Sequence, residues 1–145
     1  MKKLIILLVE DNEEDAFLIK EAMEEQEFLE EVNHVVNGEQ AIQFLMKEKP
    51  FEGVKTPDLI LMDINMPVMD GLEALGKIKL MEAVKHIPVL ILTTSSRKED
   101  ILKAYKKQSS SYIVKPDDIY ELDTIAETIK NYWNNIVRLP RNDSE

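Results

Sequence analysis

The chain has 145 residues, enough for one ordinary domain with a core of its own. A composition 44% hydrophobic and 32% charged excludes a disordered chain, and the lack of cysteine excludes a disulfide framework and a thiolate metal site. The net charge of −10 disfavours direct contact with nucleic acid or an anionic membrane and suits a basic partner or a bound cation.

The first predicted element is a strand at residues 3–9, whose apolar run Leu4-Ile5-Ile6-Leu7-Leu8-Val9 stops at Glu10-Asp11. After Met1-Lys2-Lys3 this run is too short for a secretion signal and has no small-residue cleavage site. No apolar stretch approaches the ~18 residues of a membrane span, so a cytoplasmic protein is expected. A helix follows at about 13–25, with Asn12 as N-cap and Ala16, Ile19 and Met23 as its inward stripe. A weaker strand at 32–36 has the pattern of a sheet edge, and Asn37-Gly38 turns the chain into a second helix. That helix carries Ala41, Ile42 and Leu45 inward and ends before Lys49-Pro50. Residues 51–57 form a loop, 58–63 a third strand, and 71 to about 81 a third helix. A fourth strand at 89–93 leads to a helix at about 98–107, with Ile101, Leu102 and Tyr105 inward. A fifth strand at 112–115 precedes a last helix, from after Asp117-Asp118 to about 137, and residues 138–145 read as a frayed tail. The alternation predicts a flavodoxin-like (βα)5 α/β fold over residues 1–137. Its five parallel strands lie in the order 2-1-3-4-5, with helices on both faces.

Parallel strands deliver their C-terminal ends to one rim, where ligands bind in open α/β sheets. Four apolar runs here end in polar side chains: Glu10-Asp11, Asp63, Thr93 and Lys115. Three carboxylates a few Å apart repel one another unless a cation intervenes or one is protonated, and hard oxygen donors favour Mg2+ or Mn2+. Capping of the first helix accounts for Asp11 or Asn12 but not for convergence with Asp63. His34 and His86 are placed away from this rim, so no Zn2+ site is expected. A hydroxyl at Thr93 and an ammonium at Lys115 supply what an incoming phosphoryl oxygen needs, which makes Asp63 a candidate phosphoacceptor.

These residues carry a resemblance. Over residues 3–137 the chain resembles the response-regulator receiver domain of two-component signalling. The resemblance rests on Val9-Glu10-Asp11-Asn12, on Leu61-Met62-Asp63-Ile64-Asn65-Met66-Pro67-Val68-Met69-Asp70-Gly71, on Leu92-Thr93-Thr94 and on Tyr112-Ile113-Val114-Lys115-Pro116. The spacing from Asp63 to Thr93 and on to Lys115 is also the family's. The Ser111–Pro116 stretch, Tyr132-Trp133 and the missing output domain are most similar to small single-domain regulators paired with bacteriophytochromes.

The resemblance implies a phosphoacceptor rather than an enzyme, one that takes part in its own phosphorylation and dephosphorylation. Asp63 would accept a phosphoryl group from a sensor histidine kinase, with a bacteriophytochrome-like kinase as partner, and act as a switch or phosphorelay intermediate toward a downstream protein. Glu10, Asp11, Asp63 and the Asn65 backbone carbonyl would hold Mg2+ or Mn2+. Lys115 and Thr93 would bind the phosphoryl group, and Tyr112 would rotate inward as Thr93 shifts. Asn65 and Ser95 would tune the phosphate's lifetime. Lys115-Pro116 is expected to be cis, and Gly71 to let the chain turn after the Met-Pro loop. The family often has Gly-Ala where Gln108-Ser109-Ser110-Ser111 stands, and Gln108 is a poor residue wherever φ must be positive.

Tyr132, Trp133, Ile136 and Val137 extend beyond the expected sheet contacts and read as a homodimer seam. The 51–57 loop offers a kinase-specific contact, and Lys103, Lys106 and Lys107 read as a solvated helix face rather than a nucleic-acid patch. Three rival readings are a pseudo-receiver interaction module with a vestigial site, a Mg2+-dependent phosphohydrolase of the haloacid-dehalogenase type and an FMN carrier. The hydrolase needs a second Asp where Asn65 stands. The carrier lacks a phosphate loop, and Glu10-Asp11 would repel the phosphate.

Overall fold

Apolar runs too continuous for a half-exposed strand become the buried middle of a parallel sheet. In the computed structural model, which describes residues 3–117 and 120–131, the elements are β1 (Leu4–Val9), α1 (Glu13–Glu24), β2 (Leu29–Val35), α2 (Gly38–Leu45), β3 (Leu59–Met62), α3 (Gly71–Ile78), β4 (Val89–Thr93), α4 (Lys98–Lys106), β5 (Ser111–Val114) and α5 (Tyr120–Ile129). The strands pair in parallel in the order β2-β1-β3-β4-β5, the expected flavodoxin-like fold. Every residue of β1, β3 and β4 is buried, as strands covered on both faces must be. The end of the last helix, the seam at Tyr132, Trp133, Ile136 and Val137, and the 138–145 tail lie outside the described residues.

The pleat sends alternate side chains into two cores. Leu4, Ile6, Leu8, Leu59, Leu61, Leu90 and Leu92 pack with Ala16, Ile19 and Met23 of α1 and Ala126 and Ile129 of α5. Leu7, Val9, Ile60, Met62, Val89 and Ile91 pack with Ala41, Phe44, Leu75, Ile78 and Ala104 of α2, α3 and α4. Phe51 and Val54 of the 51–57 loop cover this second core, with the Phe51 ring 5.3 Å from that of Phe44.

Three expectations need correction. The second strand begins at Leu29, three residues earlier than its pattern suggests, because an edge strand mixes buried and open positions and blurs its own start. The third helix ends at Ile78 rather than near 81, and residues 79–81 continue as hydrogen-bonded turns. In α4, Leu102 and Tyr105 do not point inward: they are 55% and 49% exposed. The helix rests on the sheet through Ala104, with Ile101 half-buried beside it, and Leu102 and Tyr105, three apart, share the outward face.

α4 closes with a Schellman motif: the Gln108 amide donates to the Tyr105 carbonyl and the Ser109 amide to that of Ala104, each at 3.0 Å. Gln108 takes φ 73°, the left-handed region its side chain disfavours, and the buried Ser109 hydroxyl has no hydrogen-bond partner among the described residues. Gln108→Gly is therefore expected to raise stability by about 0.5–1 kcal/mol, read as a higher midpoint in urea with an unchanged slope.

Candidate functional site

The rim at the C-terminal strand ends is tied together by main-chain bonds. The Glu10 amide donates to the Val35 carbonyl at 3.0 Å, the Asp63 amide to Val9 at 3.0 Å and the Lys115 amide to Thr93 at 2.7 Å. These bonds tie β1 to β2 and β3 at the rim and β5 to β4, β3 and β4 being paired just below it, and the terminal side chains gather above the sheet. Glu10, Asp11 and Asp63 each bring a carboxylate oxygen to within 4.8 Å of the others. Glu10 and Asp63 are buried, at 1% and 8% exposure. Glu10 accepts the Asn12 amide at 3.1 Å, which aims its carboxylate inward. Asp63 accepts the Ile64 amide on Oδ1 at 2.7 Å, leaving Oδ2 for Lys115 at 3.2 Å.

Lys115 also contacts Glu10 and, at 2.9 Å, Oδ2 of Asp15. Asp15 was not foreseen as a site residue. An acid in the first turn of a helix reads as a favourable charge at the helix dipole, and only its place one turn beyond Asp11, beside the inward Ala16, hints at more. His34 also departs from expectation. Register pairs it with Leu8, just below the rim, and its Nε2 donates to the Glu10 carbonyl at 2.7 Å. The cis X-Pro bond among the described residues is Lys49–Pro50; Lys115–Pro116 is not cis. Trans is the favoured isomer, and ion pairs with three carboxylates set the lysine's direction.

The loop after β3 is pinned around two close approaches. The Met69 amide donates to the Pro67 carbonyl at 2.8 Å across Val68, whose φ of 68° makes a γ-turn. The Met69 carbonyl accepts the Gly38 amide at 2.9 Å, anchoring the loop to the start of α2. Gly71 does not serve through a left-handed conformation, since no glycine has positive φ. A Cβ there would lie 2.0 Å from the Asp63 carbonyl oxygen, so only glycine lets α3 start this close to the strand. Asn65 is exposed on the same loop.

Thr93 is fully buried at the end of β4, and the Ser95 amide lies 3.5 Å from its hydroxyl. Ser95 links outward: its hydroxyl donates to Asp100 of α4 at 2.7 Å, and its carbonyl accepts the Tyr112 hydroxyl at 2.8 Å. Tyr112, on β5, is half-buried, and burial pushes its hydroxyl pKa up.

Burial pushes the Glu10 carboxyl up from 4.5 to about 7; the Lys115 contact opposes this and the neighbouring Asp63 charge adds to it. Burial opposes the Lys115 charge, but the acids around it outweigh that and hold its pKa above the ordinary lysine value. A raised carboxyl pKa favours the folded chain below the unfolded value and loses that benefit as pH climbs to the folded one. Glu10 is thus expected to withdraw at most about 3 kcal/mol of stability between pH 4.5 and 7. Urea melts in EDTA check this: Glu10→Gln should gain on the unsubstituted chain across that window, and a constant difference contradicts it.

The donors fit a small divalent cation. Three carboxylate oxygens within 4.8 Å of one another are hard ligands suited to Mg2+ or Mn2+, and the His34 imidazole is engaged by a carbonyl rather than joining them. No helix among the described residues is long and apolar enough to cross a membrane.

Residues 6–127 match the family described as response regulator receiver domain. Response regulator Rcp1 of Synechocystis sp. is 34% identical over 136 residues, covering 94% of this chain and 92% of that protein. Its Mn2+-bound crystal structure superposes with a TM-score of 0.83 at 32% identity, covering 95% and 99% of the two chains. The probable methanogenesis regulatory protein FilR2 of Methanothrix harundinacea is 38% identical over 129 residues, 89% of this chain and 83% of that one. The crystal structure of the phosphorylated cyanobacterial phytochrome response regulator RcpA superposes with a TM-score of 0.90 at 37% identity, covering 96% and 99%.

Proposed function

The chain belongs to the response regulator receiver family, and from that premise we propose that it is a phosphorylation switch whose phosphoacceptor is Asp63. The observation that carries this reading is the Asp63 carboxylate itself. It sits at the sheet rim with Glu10 and Asp11 oxygens within 4.8 Å and the Lys115 ammonium 3.2 Å away. An Asp63 oxygen attacks the phosphorus of a phosphohistidine on a sensor kinase, the O–P bond forms, the N–P bond breaks, and the imidazole leaves. Glu10, Asp11, Asp63 and the Asn65 carbonyl would hold Mg2+ or Mn2+, which supplies positive charge to the phosphoryl oxygens when bound. Lys115 balances the charge of about −2 that the phosphoryl group brings, and the Thr93 hydroxyl donates to one of its oxygens.

The readout follows from the bonds around Ser95. Movement of Thr93 toward the phosphoryl group carries Ser95 with it and disturbs both the anchor of the Tyr112 hydroxyl and the link to Asp100 of α4. Asn65 and Ser95, each two residues beyond a reacting position, flank the path of hydrolytic water and set the lifetime of the acyl phosphate. Similarity to the phytochrome response regulator RcpA supports a phytochrome-type sensor kinase as the phosphodonor.

The test is stoichiometric labelling with a small phosphodonor such as acetyl phosphate. Incorporation should approach one phosphoryl group per chain, require Mg2+ and vanish in EDTA. No labelling in Mg2+ returns the protein to a pure interaction module. Release of phosphate from generic esters over many turnovers returns it to a hydrolase.

A further inference from the structure

Lys115 meets three carboxylates, and only two of them belong to the candidate ion's ligands. Glu10 and Asp63 contact both the lysine and the acidic trio; Asp15 contacts the lysine alone. A divalent ion drawing on Glu10 and Asp63 therefore competes with the ammonium for the same oxygens and repels it. Asp15 offers the lysine a partner the ion does not need. Its backbone is fixed, since its amide donates to the Asn12 side chain at 2.9 Å in the cap of α1. Asp15 and Lys115 both line a cleft of about 130 Å3 between α1 and the β5–α5 connection, together with Leu18, Pro116, Asp117 and Leu122, which gives the ammonium room to shift.

Resting on the phosphoacceptor reading above, we propose that Asp15 is a positioning residue. It draws the Lys115 ammonium off Glu10 and Asp63 so that a divalent ion can take their oxygens, and it holds the lysine where a phosphoryl oxygen arrives. Asp15 touches neither ion nor phosphoryl group and acts through Lys115.

The experiment measures Mn2+ affinity by electron paramagnetic resonance of the full chain, with no phosphodonor present. Asp15→Asn is expected to weaken Mn2+ binding about tenfold through the strengthened competition of Lys115. Asp15→Glu, which keeps the charge, should recover most of that loss. In a Lys115→Met background, and equally in Lys115→Gln in case the first does not fold, Asp15→Asn should change the affinity by less than about twofold, because the competitor is gone. Asp15 is partly exposed, so Asp15→Asn should fold, and a thermal melt checks it. An unchanged Mn2+ affinity in Asp15→Asn overturns the proposal. So does a tenfold loss that persists without Lys115, which would make Asp15 a bare charge. Failure of the unsubstituted chain to take up phosphate overturns the phosphoacceptor reading instead, and the two failures are read in separate assays.

Discussion

Asp63→Asn is expected to abolish phosphoryl incorporation while leaving the fold at least as stable as that of the unsubstituted chain. Loss of labelling follows from the amide's lack of a nucleophilic carboxylate oxygen. The retained stability follows from the balance of charges around the carboxylate. Removing the Asp63 charge relieves repulsion from Glu10 and Asp11, whose oxygens lie within 4.8 Å, and forfeits attraction to Lys115 at 3.2 Å. Each such pair is worth about 4 kcal/mol at an effective dielectric of 20, so the two repulsions removed more than offset the one attraction lost. The Asn oxygen can still accept the Ile64 amide, and Lys115 keeps Glu10 and Asp15. Labelling and urea melts on the same preparation check both halves; a variant that fails to label because it unfolds contradicts the charge balance.

Gly71→Ala is expected to lower stability by about 3 kcal/mol or more and to slow labelling of the molecules that remain folded by about 100-fold. The added methyl would lie 2.0 Å from the Asp63 carbonyl oxygen, 2.9 Å from its carbonyl carbon and 3.0 Å from the Ile64 Cα. All three are backbone, so no rotamer change relieves the clash. Either α3 lifts at its start, breaking the Gly71 amide bond to the Ile64 carbonyl, or the backbone carrying Asp63 moves. Gly53→Ala is the control, since nothing lies within 4 Å of a Cβ there, and it should be neutral. A Gly71→Ala chain that labels and melts like the unsubstituted one refutes this account of the turn.

How much of this was legible in the sequence depends on the kind of signal. Leu4–Val9, Leu59–Met62 and Val89–Thr93 are continuous apolar runs, the pattern of strands covered on both faces, so the parallel sheet was legible, while the strand order came with the fold type that the strand–helix alternation suggests. Edges and outer faces were harder. β2 carries Glu30 and Glu31 among its buried positions, and Leu102 and Tyr105 look like core in sequence although α4 meets the sheet through Ala104. At the site, Glu10, Asp11 and Asp63 could be placed together because they stand one or two residues beyond strands that end at the same rim. Asp15 and His34 could not, because their roles arise from a helix end and a neighbouring strand packing against that rim. Gly71 was legible as the glycine of the turn, but the close approach that demands it was not, because no local pattern records it.

The most direct test of the central claim is to locate the phosphoryl group. Borohydride reduction cleaves an aspartyl phosphate to homoserine, and peptide mass spectrometry then reads the position. The chain treated with acetyl phosphate and Mg2+ should show that conversion at Asp63, with none in EDTA. Conversion at any other carboxylate, or none anywhere in a chain that has taken up label, contradicts it.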